Sequence, residues 1–296
     1  MSEAGDAAIV VGVDGSESAA EAVRWAAREA GRRSAPLRLV GVLDWSAFRP
    51  MAGMADLDHH NRDRLREHIG ELLHSAAAEA HGVAPDVTVA HVVRNGSVPE
   101  GLLAEAETAQ LLVVGSRGRG GFSGLVAGST SRAVCALSPC PVVVVRGEGE
   151  HDGPVVAAYD GSPVAANALG FAVDAAVSRG ATLRVVQAWT HDTAESWIMD
   201  LVPWDRVESE VAADLEKAVA PWRERHPDLR IETELPHSHP IPALAKAAQG
   251  ARLVVVGSRG RGALAGLLLG SVSQSVLHRV DCPVAVVTEH GAESAG

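Results

Sequence analysis

Short unbroken apolar runs alternate along this chain with longer stretches in which apolar residues return every three or four positions. Residues 7–13 (AAIVVGV) form the first run, which suits a strand buried on both faces. It breaks at Asp14-Gly15-Ser16, and residues 17–31 then carry Ala19, Val23, Ala26, Ala27 and Ala30 on one helical face. Ser16 or Ser18 is the expected N-cap, and Gly31 the expected stop. A second strand is expected over 37–43, then an irregular loop over 44–58 and a charged helix over 57–80 with its apolar stripe on Leu65, Ile69, Leu72, Leu73 and Ala76. Residues 87–93 alternate as a third strand, and 99–108 read as a short helix. A fourth strand opens residues 111–131 (LLVVGSRGRGGFSGLVAGSTS), and residues 140–145 (CPVVVV) supply a fifth.

The same order then starts again. Residues 146–153 (RGEGEHDG) are polar and glycine-bearing, as in a linker. Beyond them Asp160-Gly161-Ser162 repeats Asp14-Gly15-Ser16, and residues 253–273 (LVVVGSRGRGALAGLLLGSVS) repeat 111–131. The offset is 146 at the aspartates and 142 at the glycines, a net deletion within the second half. Repeats this long are duplicated domains. The expected layout is a first domain at 1–147, a linker at 148–153, a second domain at 154–289 and a disordered tail at 290–296. Alternating β and α elements with apolar strands imply an α/β class: two doubly wound parallel sheets of five strands each.

Composition narrows the picture. Aromatic residues make up 3% of the chain, so the apolar 47% is mostly Ala, Val and Leu, suited to sheets covered by Ala-rich helices. A formal charge of -11 argues against nucleic acid or an anionic membrane as the main partner. Cys135, Cys140 and Cys282 form no CxxC pair, which suggests a reducing compartment and small buried side chains. No basic, apolar leader precedes the first strand and no apolar run approaches a membrane span, so a cytoplasmic protein is expected.

Candidate chemistry concentrates where strands end. In doubly wound sheets, ligands bind at the carboxyl ends of strands where the strand order reverses. Strand one ends at Asp14 and strand four at Gly115, so the two loops face one crevice if those strands are neighbours. Glycines admit close approach of backbone N–H groups, and a helix N-terminus beyond them attracts an anion. A phosphate-bearing ligand fits. Neither copy has the lysine of a P-loop, and GVDGSESAA after strand one is not a GxGxxG dinucleotide fingerprint. Other readings stand beside these: glycines also serve tight turns, and Asp14 and Asp160 also suit helix caps. His59, His60, His68 and His74 read as a solvated helix face, and the His237–Pro240 segment matches a ligand-free loop at 95–98, so no metal site is expected. Trp45, Trp189 and Trp197 either shield the crevice or fill it.

The full constellation resembles the ATP-binding subgroup of the universal stress protein family. That subgroup has an aspartate after strand one and the pattern G-x2-G-x9-G-[ST] after strand four. Here these are Asp14 with Gly115, Gly118, Gly128 and Ser129, and Asp160 with Gly257, Gly260, Gly270 and Ser271. The resemblance covers nearly the whole chain, twice. It implies an adenine nucleotide alpha hydrolase-like fold with strand order 3-2-1-4-5 and one ATP per domain, with Mg2+ accompanying the phosphates. Adenine would lie by the aspartate and Val42 in the first half, and by Ala188 in the second. The smaller Ala188 removes contact of about 1 kcal/mol. Ribose and phosphates would follow Gly115 to Gly118 and Gly128, Ser129 and Thr130, repeated by Gly257 to Gly260 and Gly270, Ser271 and Val272. The Ser129 and Ser271 hydroxyls would donate to phosphate or cap the helix, and Arg117, Arg119, Arg259 and Arg261 would screen charge.

No residue reads as a dedicated catalytic base, so the leading expectation is a regulatory protein whose nucleotide occupancy alters conformation or partner choice. A slow Mg-dependent ATP hydrolase and a nucleotide-free interaction module are the alternatives. In similar proteins the fifth strand pairs across a two-fold-like interface. The resemblance therefore implies an intrachain pseudo-dimer through 141–145 and 283–287, and leaves a homodimer of chains open.

Overall fold

The computed structural model describes residues 7–44, 58–118, 128–147, 152–190, 202–261 and 269–289. The chain divides into two compact units, one ending at Gly149 and the other spanning Glu150–Glu289. The first contains β1 (Ile9–Gly12), α1 (Glu17–Arg33), β2 (Leu37–Leu43), α2 (Asp58–Val83), β3 (Val89–Asn95), α3 (Val98–Ala106), β4 (Leu111–Gly115), α4 (Ser129–Leu137) and β5 (Val142–Val145). The second contains β6 (Val155–Ala158), α5 (Pro163–Arg179), β7 (Leu183–Val186), α6 (Trp204–Arg225), β8 (Ile231–Glu234), α7 (Pro240–Ala247), β9 (Leu253–Gly257), α8 (Ser271–Arg279) and β10 (Val284–Val287). Strand order is β3-β2-β1-β4-β5 in the first unit and β8-β7-β6-β9-β10 in the second. Within each unit every pairing is parallel.

The order reverses between β1 and β4, paired as Ile9 with Leu111, and between β6 and β9, paired as Val155 with Leu253. These central strands are apolar throughout because helices cover both faces; Ile9, Val10, Val11, Leu111, Leu112 and Val113 are wholly buried. Ser16 caps α1 through its hydroxyl, which accepts from the Ala19 amide at 3.2 Å, and Ser162 caps α5 in the same way. Gly31 does not stop α1. The helix runs on to a left-handed Ser34 at φ 51°, the position that Gly180 takes after α5 at φ 57°. Its orphan carbonyls are met there, with Ala35 N–H donating to Ala30 and Ser34 N–H to Gly31.

β3 and β7 differ from expectation at their ends. β3 begins at Val89 rather than 87 and ends at Asn95. Carried over by the repeat offset of 146, the strand expected at 37–43 reaches Trp189, but the ladder of β7 closes at Val186, because Pro236 follows β8 and has no N–H to continue it. Trp189 resumes contact as an isolated bridge to His237. The expected loop at 44–58 falls mostly outside the described residues, as do its counterpart at 190–205 in the second half, Trp45, Trp197, the linker at 148–151 and the tail.

Candidate functional site

In the first unit, Asp14, Val42, Gly115, Arg117, Gly118, Gly128, Ser129 and Thr130 line one cavity of about 680 Å³ at the carboxyl ends of β1 and β4. The Asp14 carboxylate does not cap α1. Its Oδ1 accepts from the Ser16 amide at 2.9 Å and the Ser16 hydroxyl at 2.6 Å, closing the turn that delivers Ser16 to the helix. Gly118 faces the other oxygen: a methyl built there would come 2.7 Å from Asp14 Oδ2. Arg117 is exposed, and its backbone is pinned by Ser18. The Ser18 hydroxyl donates to the Arg117 carbonyl and lies 3.3 Å from the Arg117 amide.

The second unit gathers Asp160, Ala188, Gly257, Arg259, Gly260, Gly270, Ser271 and Val272 around a cavity of about 340 Å³. Asp160 Oδ1 accepts from the Ser162 amide at 3.0 Å and Oδ2 from the Arg261 amide at 2.9 Å. A methyl on Gly260 would lie 2.5 Å from Asp160 Oδ2, as at Gly118. The Arg259 guanidinium pairs with Glu289 at 3.2 Å on the surface. Burial raises the Tyr159 pKa; the Arg261 cation opposes that rise, while Asp160 and Asp214 reinforce it.

The three glycines of each pattern have different jobs. Gly115 is a packing position, since a methyl there would meet the Ser18 carbonyl oxygen at 2.6 Å in the first turn of α1. Gly118 leaves room for the aspartate. A methyl on Gly128 would find its nearest atom among the described residues 3.8 Å away, and Gly128 serves as N-cap of α4; Gly270 does the same for α8. Ser129 and Ser271 are therefore the first helical residues and not caps. Neither cap glycine brings a side-chain bond, so among the described residues no side chain caps the first amides of α4 and α8, whereas α1 and α5 are closed by serine. An uncapped helix start facing a cavity is suited to an anion.

Residues beyond the motifs complete the walls. Leu65, Ile69 and Leu72 of α2 and Val98 and Leu102 of α3 line the first cavity, and Arg132 adds a cation. Their signal in the sequence was the α2 stripe, which read only as core. The buried Ser131 ties α4 to β4 by donating to the Gly115 carbonyl at 2.9 Å, and Ser273 donates to the Ser258 carbonyl at 3.1 Å. Arg119 and the side chains of His59 and His60 lie outside the described residues. His74 is exposed, as is His68 at the cavity rim. Among the described residues no group of three His, Cys, Asp or Glu side chains could hold a metal ion. Trp189 does not line the second cavity; its ring packs against His237 with centroids 4.6 Å apart and planes tilted by 35°.

Fold and cavities together define a protein built from two doubly wound α/β units, each with a concave site at the switch point of its parallel sheet. The model of the universal stress protein family matches residues 7–146 and again 153–288, and the chain belongs to that family as a tandem of two such domains. A universal stress protein of Mycolicibacterium smegmatis is 36% identical over 292 residues, covering 94% of this chain and 96% of the relative. One from Mycobacterium tuberculosis is 33% identical, covering 95% and 97%. The crystal structure of a universal stress protein from Archaeoglobus fulgidus has a TM-score of 0.71 at 20% identity, covering 95% of this chain and 96% of that one, and shares the fold. Among the described residues no helix is long and apolar enough to cross a membrane.

Proposed function

We propose that this protein binds adenine nucleotides, with ATP as the leading ligand and one site per domain, and that occupancy of the sites alters conformation or partner choice in a stress response. The observation that carries the reading is the convergence, in each unit, of one aspartate, the glycine pattern and an uncapped helix start on a single cavity. Aliphatic walls suit a purine, and amides at the start of α4 and α8 suit phosphate oxygens. Mg2+ would enter with the phosphates. Such a ligand switches the protein only as far as it binds two conformations with different affinity.

Mass spectrometry of small molecules released on denaturing the purified chain, followed by calorimetric titration with ATP, tests the reading. An adenine nucleotide in the extract and saturable heat are expected. Asp14→Ala with Gly118→Ala should abolish the first site and leave the second. No nucleotide and no heat would overturn it.

A further inference from the structure

The two cavities share a glycine frame but are closed by different chemistry. Gly15 and Gly161 occupy the same turn at φ +79° and +78°. Over Gly15 lies Leu72 of α2, whose Cδ2 would meet an added methyl at 2.9 Å. Over Gly161 lies the guanidinium of Arg261; an added methyl would collide with its Nη2 and stand 3.0 Å from its Cζ. The same residue holds Asp160 from the other side, since its amide donates to Oδ2 at 2.9 Å.

The neighbouring positions changed along with the cover. Tyr159 stands where the first unit has Val13, and Asp214 where it has Leu72, each aspartate or leucine preceding a fully buried leucine, Leu215 or Leu73. Tyr159 lies within electrostatic reach of Arg261, Asp160 and Asp214. No described residue of α6 lines the second cavity, whereas Leu65, Ile69 and Leu72 of α2 line the first, and the volume falls from about 680 to about 340 Å³. The guanidinium occupies the space over Gly161 beside the aspartate, which makes it an obstacle there.

Resting on the nucleotide reading above, we infer that Arg261 controls the affinity of the second site: its side chain covers Gly161 and must swing away before that cavity admits ATP. The two sites of one chain therefore fill in order, the first domain ahead of the second. Calorimetric titration of the full chain with ATP should resolve two dissociation constants at least tenfold apart. In a chain whose first site is silenced by Asp14→Ala and Gly118→Ala, Arg261→Ala should tighten ATP binding tenfold or more, and Arg261→Ser should do the same. In the reciprocal chain, silenced by Asp160→Ala and Gly260→Ala, Arg261→Ala should leave the first site's constant unmoved, which a general loss of structure would not. Equal constants in the unaltered chain, or a second site that Arg261→Ala weakens or leaves alone, would overturn the inference while the nucleotide reading stands. No uptake by any of these chains would defeat both.

Discussion

Gly115→Ala separates a packing glycine from a ligand glycine. The added methyl would sit 2.6 Å from the Ser18 carbonyl oxygen and 2.5 Å from its hydroxyl oxygen. The carbonyl belongs to the first turn of α1, which is packed on β1 and β4, so relief requires the helix to move. Overpacking of this kind costs about 1–3 kcal/mol, and replacing a strand glycine returns about 0.5–1 kcal/mol, leaving a net loss of roughly 1–2 kcal/mol. Its twin Gly257→Ala meets Val164 Cγ1 and the Arg259 carbonyl oxygen at 3.0 Å, contacts that ease with shifts of a few tenths of an ångström. There the loss and the gain nearly cancel, to within about 0.5 kcal/mol. Gly128→Ala, with 3.8 Å of clearance, should lose only the N-cap preference of glycine over alanine, about 0.5–1 kcal/mol. Hydrogen exchange in increasing urea, followed by mass spectrometry on β1 and β4 against β6 and β9, reads each half separately. A Gly115→Ala cost equal to or below that of Gly257→Ala would refute the assignment of Gly115 to packing.

Ser34 sits at φ 51° where its counterpart is Gly180, so Ser34→Gly should stabilise the first domain by about 0.5–1 kcal/mol in urea unfolding; a loss would show that its left-handed backbone is not strained. Cys135 is fully buried and burial drives its thiol pKa far up; Cys140 is raised for the same reason. Both should resist iodoacetamide at neutral pH in the folded chain and react on unfolding, and rapid labelling of native protein would contradict their burial.

Fold class was legible in the amino-acid pattern because it follows from local rules. Unbroken apolar runs such as 111–114 and 142–145 need two covered faces, and alternation with Ala-rich helices leaves a parallel sheet as the solution. The duplication was visible as a repeated spacing, and in each unit the aspartate, the three pattern glycines and the serine after them line one cavity. What spacing concealed was the division of labour within the pattern: Gly115 answers to Ser18, Gly118 to Asp14, and Gly128 to α4. Contacts across 97 or 104 positions leave no local trace.

Sequence alone determined the elements, their order and the two aspartate–glycine frames, because each depends on neighbours within a few residues of chain. Tertiary structure decided what closes each frame. Leu72 comes from a helix 57 positions beyond Gly15, and Arg261 from a loop 100 positions beyond Gly161. Both arrive only when β1 pairs with β4, β6 pairs with β9, and the covering elements settle on the sheet, so the difference between an aliphatic and a cationic cover is a property of packing.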